Sequence, residues 1–539
     1  MIAGSSLDLE VVRALFTSIA EEMGVLLQRS AHSPNIKERR DYSCALFSAR
    51  GELVAQAAHI PVHLGSAPLS VRAAMAEHDF APGDSVLLND PFRGGTHLPD
   101  LTLVSPVFAD GAPQRAGRRR PSFYVATRAH HADVGGAEPG SMAPARDLFG
   151  EGLVIPPVVL ERRGRFERDV LRMVLANVRT PQERLADLRA QCASNRRGVT
   201  RLRELAARHG FRELERAGAA LLDHGERAMR ALLRRLPRGT FRHEDFLDDD
   251  GMGTRDVPIR VALTLGRGRV RVDFTGSAPQ VGGSLNANPA VTLAAVLYVF
   301  QCLATAPAGE RSEPLAPNDG MARPIDLVIP AGCLLNPRRG AAVAAGNVET
   351  SQRVVDVLLG ALAQACPDRV PAASQGTMNN LTLGGMDDPP FAYYETVGGG
   401  AGAGAGRPGA SGIQVHMTNT LNTPVEALEL AYPLRVTRMT LARGSGGRGA
   451  ARGGDGIERE LEVLAPARVA VLSERRVRGA PGAAGGEAGR PGRNRLRRRG
   501  RVRTMPAKFA ADLEPGDRVG LRTPGGGGHG RVGRGERDR

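Results

Sequence analysis

The stretch Asn89-Asp90-Pro91-Phe92-Arg93-Gly94-Gly95-Thr96-His97-Leu98-Pro99-Asp100 opens the part of the sequence around which the fold is organised. The stretch Arg128-Ala129-His130-His131-Ala132-Asp133-Val134-Gly135-Gly136 closes it. Between them lie two apolar runs, 101–108 and 123–126, separated by a basic insertion at 115–120. The simplest interpretation is two strands joined by a surface loop. An antiparallel pair would bring the two His/Asp clusters together at one end of the strands.

These clusters can be interpreted in two ways. Imidazoles and carboxylates that converge from loops can bind a divalent metal and leave a position for water. Loops rich in histidine are also often held by ordinary hydrogen bonds, and the segment 133–136 has the composition of a turn. The spacing matches neither a zinc finger nor a His-Glu-x-x-His helix. On residue types alone, both interpretations stay open.

The composition is that of a soluble globular protein with two to four domains. The chain has 539 residues, of which 42% are hydrophobic and 24% are charged. No apolar run approaches the roughly 20 residues that span a bilayer, and the N-terminus lacks the pattern of a signal peptide. The five scattered cysteines indicate reduced intracellular thiols. We therefore expect a cytoplasmic protein.

The net charge of +15 raises the question of nucleic-acid binding. Lys37 and Lys508 are the only lysines, so the excess of arginine indicates a coding bias more than a phosphate-binding design. The most basic tract, Arg493 to Arg503, has no recognition helix around it, and aromatic residues make up only 4% of the chain. We expect no nucleic-acid partner.

The order of apolar patterns predicts a mixed α+β, multi-layer fold. Residues 166–240 show helical spacing and predict a helical hairpin or bundle layer, with a coiled-coil arm as the weaker alternative. Gly398 to Gly406 is interpreted as a flexible loop, and it is not a nucleotide site because no Gly-Lys-Ser/Thr follows. The predicted units are an N-terminal α/β unit with the metal site (1–165), the helical segment (166–240), a central α/β region lining the pocket (241–431) and a β-rich C-terminal region with a Gly/Arg-rich tail (432–539).

Eight motifs in order, from about Leu7 to Gly530, resemble the hydantoinase B family. They are Glu38–Ser43, Pro61–Gly65, Gly94–Asp100, Ala129–Gly136, Gly346–Gln352, Gly376–Asn380, His416–Thr420 and Pro524–Gly528. That family includes the B subunit of N-methylhydantoinase, the C-terminal half of 5-oxoprolinase and subunits of acetone and acetophenone carboxylases. The insertion at 111–120 and the tract at 493–503 depart from its typical members.

The resemblance implies a division of labour with a hydantoinase A-type subunit. That partner would bind ATP, which this chain would not, and would phosphorylate a small cyclic amide. This chain would supply a divalent metal, zinc or manganese, whose activated water opens the ring. The leading prediction is thus the B subunit of an ATP-dependent cyclic-amide hydrolase, within a hetero-oligomer. The alternatives are a subunit of an ATP-dependent ketone carboxylase and a non-catalytic scaffold for the partner.

The resemblance also implies which residues form the site. Asp41 favours the amide-hydrolysing branch, because the carboxylase members place Glu there. Asp133 would orient an imidazole. The implied metal ligands are Asp41, His97, Asp100 and His130, with His131 as the alternative to His130. The implied catalytic residues are Asp41, His97, His130 and Asp133.

Overall fold

The computed structural model describes residues 8–63, 65–109, 120–142, 144–304, 317–387 and 389–532. Most of the basic insertion predicted at 115–120 lies outside the described residues. In the described ranges the helices are α1 (Leu9–Ser30), α2 (Pro34–Lys37), α3 (Ala67–Glu77), α4 (Leu148–Glu151), α5 (Arg168–Ala176), α6 (Pro181–His209), α7 (Phe211–Arg235), α8 (Pro289–Ala304), α9 (Ser351–Ala365) and α10 (Val425–Ala431).

The strands of the same ranges build four sheets. They are β1 (Tyr42–Ser48), β2 (Leu53–Gln56), β3 (Ser85–Leu88), β4 (Asp100–Val107), β5 (Phe123–His130), β6 (Val158–Arg162), β7 (Arg165–Phe166), β8 (Gly239–Asp249), β9 (Arg255–Gly266), β10 (Arg269–Asp273), β11 (Ile325–Val328), β12 (Asn380–Gly385), β13 (Phe391–Thr396), β14 (Leu434–Ala442), β15 (Gly456–Val463), β16 (Ala467–Leu472), β17 (Arg493–Arg498), β18 (Arg501–Met505), β19 (Lys508–Leu513) and β20 (Arg518–Arg522). With ten helices, this confirms the mixed α+β class.

The first sheet has seven strands in the order β2-β1-β5-β4-β3-β6-β7. Strands β4 and β5 pair antiparallel, which confirms the predicted strand pair. Every residue of these two strands is buried. Both faces are covered: Cys44 and Leu46 of β1 pack in one hydrophobic cluster with α1, while Ala45 and Phe47 pack in another with α8. Burial on both faces explains why the sequence shows continuous apolar runs here.

The helical segment forms a layer on this sheet, not a projecting coiled-coil arm. Helix α6 contacts α1, β4 and β5. Two of its amides fix it there: the Gln191 side chain donates to the Leu101 carbonyl over 3.0 Å, and the Asn195 side chain donates to the Leu103 carbonyl over 2.9 Å. A regular polar contact with the strand backbone therefore ties α6 to β4, the strand that begins at Asp100.

The other three sheets follow in the second half of the chain. Their strand orders are β11-β10-β9-β8, β13-β12-β16-β19 and β14-β15-β20-β17-β18. Among the described strand pairs, only β10 with β11 is parallel. The third sheet takes strands from both sides of the boundary predicted between 431 and 432, so these two regions are joined by backbone hydrogen bonds. No helix of the described residues has the length and apolar composition to cross a membrane.

Residues 398–403 of the glycine run are packed against other backbone segments, which differs from the interpretation of the whole run as a flexible loop. Gly400 N–H donates to the Pro524 carbonyl over 3.0 Å, and Ala403 N–H donates to the Gly527 carbonyl over 2.9 Å. A Cβ atom at Gly400 would lie 2.0 Å from the carbonyl oxygen of Gly454. Glycine is needed here because three backbone segments approach more closely than any side chain allows.

Candidate metal centre

Three of the predicted site residues meet at one end of the pair β4 and β5. Asp100 is the first residue of β4 and pairs directly with His130, the last residue of β5. His97 lies in the loop that leads into β4. Their ligand atoms all lie within 4.8 Å of one another, and the three residues are 0%, 1% and 2% exposed for His97, Asp100 and His130. The chain thus brings two imidazoles and one carboxylate together in its interior.

Both imidazoles face the same carboxylate oxygen. Asp100 Oδ1 lies 3.0 Å from His97 Nε2 and 3.3 Å from His130 Nδ1. His97 Nδ1 is turned to the carbonyl oxygen of Ala344, 3.4 Å away. A proton on Nδ1 satisfies that carbonyl and leaves the lone pair on Nε2, the atom that faces Asp100. A lone pair aimed at a carboxylate is the arrangement that a shared cation stabilises.

Further side chains hold Asp100 in place through its other oxygen. Thr96 Oγ1 donates to Asp100 Oδ2 over 2.6 Å, and His63 Nε2 lies 3.3 Å from the same atom. His63 Nδ1 in turn contacts Ser43 Oγ at 2.8 Å. Hydrogen bonds of this kind orient metal ligands and fix their protonation state.

The electrostatics favour a charged Asp100 carboxylate beside a neutral His130 imidazole. Burial alone would raise the pKa of Asp100, but the charges of His97 and His63 and hydrogen bonds from His130 and His63 hold it well below its usual range. Burial lowers the pKa of His130, and the hydrogen bond to Asp100 and the charge of Asp41 only partly oppose this. A neutral imidazole and an ionised carboxylate are the forms that bind a divalent metal.

Two buried polar atoms at the centre have no hydrogen-bond partner among the described residues. They are His130 Nε2 and Asn347 Oδ1. The amide nitrogen of Asn347 lies 3.1 Å from His97 Nε2, so its unpaired oxygen is close to the candidate ligands. Buried polar atoms are rarely left unpaired in folded proteins. The residues therefore fit a site that receives an ion together with a polar molecule.

Asp41 lies beside this group but outside it. Its carboxylate is buried and lies 3.8 Å from the Arg39 guanidinium. Its carbonyl oxygen accepts a hydrogen bond from the His130 N–H over 3.0 Å, which places it just before β1 and next to the end of β5. The group within 4.8 Å is therefore made by three of the four predicted ligands, with Asp41 as their neighbour.

The structure brings His130, and not His131, to Asp100. His131 Nε2 lies 2.9 Å from Gln191 Oε1 on helix α6. Successive residues at a strand end point to opposite faces, so only one of the two adjacent histidines can reach the centre. Burial lowers the pKa of His131 to about 4, so this imidazole is a neutral hydrogen-bonding group between the sheet and α6.

Asp133 does not orient an imidazole, which corrects that expectation. Its Oδ1 accepts from the Arg179 guanidinium over 2.8 Å, and its Oδ2 accepts from the Arg179 backbone N–H over 2.8 Å. Arg179 therefore satisfies both carboxylate oxygens, one through its guanidinium and the other through its backbone N–H. Asp133 therefore fixes the chain between α5 and α6, and its position gives no support to the predicted catalytic role.

Sequence reasoning missed the side chains that reach the centre from the second half of the chain. Asn347 lies in a π-helical turn, Gly346–Thr350, that leads into α9, and such turns are frequent at functional sites. The Tyr394 ring stacks on His130 with centroids 4.4 Å apart. No periodicity or spacing links residues that are about 250 positions apart. The motif at 346–352 was the one available signal.

A buried hydrogen-bond chain continues from Tyr394. Tyr394 O–H donates to Asn380 Oδ1 over 2.9 Å, and the Asn380 amide donates to Glu349 Oε1 over 2.7 Å. Burial is the main reason why the pKa of Glu349 rises to about 7. Glu349 Oε2 is buried and has no hydrogen-bond partner among the described residues. A carboxyl group that titrates near neutrality thus lies one amide away from the ring that covers His130.

Comparison with known proteins gives a consistent result. The family model described as Hydantoinase B/oxoprolinase matches residues 5–532. A 5-oxoprolinase of Arabidopsis thaliana is 39% identical over 553 residues, which cover 97% of this chain and 42% of that protein. The chain therefore spans less than half the length of this relative.

Two solved structures share the fold. The ATP-dependent caprolactamase of Pseudomonas jessenii superimposes with a TM-score of 0.88 at 28% identity, covering 98% of this chain and 92% of that chain. An acetone carboxylase superimposes with a TM-score of 0.86 at 19% identity, covering 97% of this chain and 75% of that chain. The second likeness concerns the fold alone. Because the family match runs through all four sheets, this chain belongs to the Hydantoinase B/oxoprolinase family.

Proposed function

We propose that this chain provides the hydrolytic metal centre of an ATP-dependent enzyme that opens cyclic amides, in the 5-oxoprolinase and hydantoinase class. The observation that carries the proposal is that the buried imidazoles of His97 and His130 both face Oδ1 of the buried Asp100 carboxylate. The family membership and the 39% identity to a 5-oxoprolinase favour amide hydrolysis over other metal-dependent reactions.

The proposed ligands are His97, Asp100 and His130, with Asp41 as the fourth. Asp41 is included because it is buried, lies next to the end of β5 and acts on the pKa of His130 through its charge. A zinc or manganese ion bound by such residues lowers the pKa of water and polarises a carbonyl group.

In this proposal, the residues that contact the metal ligands orient them, bind the substrate or exclude water. Thr96 and His63 hold the carboxylate of Asp100, and the Ala344 carbonyl fixes the tautomer of His97. The unpaired Asn347 Oδ1 accepts a hydrogen bond from the N–H of the amide substrate. The Tyr394 ring excludes water from one face of His130.

Glu349 exchanges protons with the reacting amide in the same proposal. Its Oε1 accepts from the Asn380 amide and the Met378 N–H, and its Oε2 is buried without a hydrogen-bond partner among the described residues. A carboxyl group whose pKa is about 7 can give or take a proton at neutral pH. Ring opening needs such a group, because the leaving nitrogen must be protonated as the C–N bond breaks.

The partner belongs to the proposal as well. We assign ATP binding and phosphorylation of the amide to a hydantoinase A-type subunit, in a hetero-oligomer in the cytoplasm. The chain spans only 42% of the Arabidopsis 5-oxoprolinase but 98% of it aligns with 92% of a chain of the ATP-dependent caprolactamase. Both proportions are as expected if the ATP-binding part is fused in one relative and separate in the other. The scattered cysteines favour a reducing compartment.

The decisive experiment is co-expression with an A-type partner. We expect ATP hydrolysis that depends on a cyclic amide, tested with 5-oxoproline, hydantoins and caprolactam, and one equivalent of divalent metal per chain. His97→Ala should lose both the metal and the ring opening. ATP turnover driven only by a ketone with bicarbonate would instead favour the carboxylase alternative. A His97→Ala enzyme that works as well as wild type would favour the scaffold.

A further inference from the structure

The arginine tract at 493–503, which the proposed centre does not use, folds as the hairpin β17–β18. Its turn is Arg499-Gly500, and both residues have positive φ, 47° and 77°. This is the conformation of the tight turn that matches the twist of two strands. The hairpin ends the fourth sheet, so β18 is an edge strand, and residues 501–504 are exposed.

The hairpin concentrates positive charge, and only one of its arginines is paired with an acidic group of the described residues. Arg498 pairs with Asp517 over 2.8 Å. The other arginines of the tract are exposed, and none of them forms an ion pair or side-chain hydrogen bond with the described residues: Arg493, Arg495, Arg497, Arg499, Arg501 and Arg503. Six unpaired guanidinium groups within eleven residues repel one another, and an acidic partner would remove that repulsion.

The same sheet already contains an acidic strand, β15, paired with basic strands on both sides. Strand β15 carries Glu458, Glu460 and Glu462 at every second position, between the arginine-bearing strands β14 and β20. Arg438 of β14 lies 3.0 Å from Glu458, and Arg518 of β20 lies 3.0 Å from Glu462. An acidic strand with alternating carboxylates is thus already held between basic strands in this sheet.

The outer edge of β18 is open to a further strand. Arg498 and Arg501 close the two-residue turn, so theirs is a hydrogen-bonded pair, and the pairs then alternate along the hairpin. Val502 and Thr504 belong to the non-bonded pairs with β17. Their N–H and C=O groups therefore point away from β17, towards the free edge. The side chains of Arg501 and Arg503 share one face of the strand.

We propose that the edge of β18 binds an extended acidic segment of a partner protein, which adds to the fourth sheet as a sixth strand. The backbone of that segment pairs with Val502 and Thr504, and carboxylates at alternate positions lie opposite Arg501 and Arg503. Alternate residues are about 6.8 Å apart on both strands, so successive carboxylates of the segment have the same spacing as the two arginines. This inference does not depend on the proposed function, because the metal centre lies at the first sheet.

Other occupants of the edge fit less well. A second copy of this chain would place the arginines of its own β18 opposite Arg501 and Arg503. Like charges directly opposite each other destabilise strand pairing. A single-stranded nucleic acid binds through bases stacked on aromatic side chains, and residues 493–508 contain none. Nucleic acid also makes no use of the open backbone groups of Val502 and Thr504.

The test uses the full chain and a fluorescein-labelled nonapeptide with Glu at every second position and Val or Thr between. The comparison probes are a peptide of the same composition with the Glu residues contiguous and an oligothymidylate of equal charge. Fluorescence anisotropy should show the alternating peptide binding about tenfold more tightly than the contiguous one, with binding that weakens as salt is added. Equal binding of the two peptides, or tighter binding of the oligothymidylate, would overturn the proposal.

Two variants separate charge from strand pairing. Arg501→Glu/Arg503→Glu should weaken binding of the alternating peptide about tenfold. The same change at two exposed arginines at and just beyond the end of α7, Arg235→Glu/Arg238→Glu, should leave the peptide bound. Val502→Pro removes an outward N–H but no bond to β17, and it should also abolish the preference for the alternating peptide, while Val502→Ala keeps it. Unchanged binding by either the charge-reversed or the proline variant contradicts the proposal.

Discussion

Asp100 and His130 are direct partners in the pairing of β4 with β5, and Asp100 Oδ1 lies 3.3 Å from His130 Nδ1. The two candidate ligands are therefore positioned by backbone hydrogen bonds of neighbouring strands, not by loops. Strands that are buried along their full length hold side chains rigidly. His97 joins them from the loop just before β4, where Ala344 fixes its ring.

Loss of a ligand should remove the metal without unfolding the sheet. We expect Asp100→Asn to lower metal affinity by at least about 100-fold, because replacing a residue that only orients a metal ligand already lowers the affinity by up to about 100-fold. Metal content per chain, measured by mass spectrometry, checks this. His131→Ala is the matched control: it removes the contact with Gln191 but should keep the metal. Loss of metal in His131→Ala alone would reverse the choice between the two histidines.

Metal removal should lower thermal stability. A ligand present at about 100 times its Kd stabilises a fold by about 2.7 kcal/mol, because it binds only the folded state. Chelation followed by thermal unfolding should therefore lower the Tm, and added zinc or manganese should restore it. Asp100→Asn should show no response to either treatment. If the Tm of the wild type changes neither with the chelator nor with added metal, the result argues against a bound ion.

Gly400→Ala should destabilise the C-terminal region by about 3 kcal/mol, at the upper end of the usual cost of overpacking. The added Cβ would lie 2.0 Å from the Gly454 carbonyl oxygen, and rigid backbone on both sides cannot move away. Gly404→Ala is the control, because a Cβ there meets nothing within 4 Å. Urea unfolding of both variants measures the difference, and equal stability would contradict the close packing of the glycine run.

Glu349 should make stability fall as the pH rises. Its folded-state pKa of about 7 lies above the ordinary value of 4.5, so the folded state prefers the protonated acid. The stabilisation is complete below pH 4.5 and is lost as the pH rises through 7, with a total of about 3 kcal/mol. Glu349→Gln keeps a neutral acceptor for Asn380 and should reduce this dependence.

Urea unfolding at pH 5 and pH 8 measures that change. The variant should retain some slope, because burial also raises the pKa of Glu151, to about 8. The exposed Glu426→Gln is the control and should behave as wild type. An unchanged slope in Glu349→Gln would show that this carboxyl group is not the source.

The sequence predicted the parts of the centre that lie close together along the chain. Apolar runs at 101–108 and 123–126 predicted two strands, and an antiparallel pairing of these strands would bring Asp100 close to His130 or His131. It could not choose between His130 and His131, because a strand alternates its faces and the buried helix that takes up one of them, α6, follows about 60 residues later.

What the sequence by itself predicted was therefore local: the strand pair, the mixed α+β class and a His/Asp cluster at one end of that pair. Only the tertiary structure decided that Asn347 contacts His97, that Tyr394 stacks on His130, that Asp133 pairs with Arg179 and that residues 398–403 are packed. The physical reason is that periodicity and turn chemistry report interactions between near neighbours in the chain. Contacts between distant segments depend on how whole layers pack, and no short pattern records that.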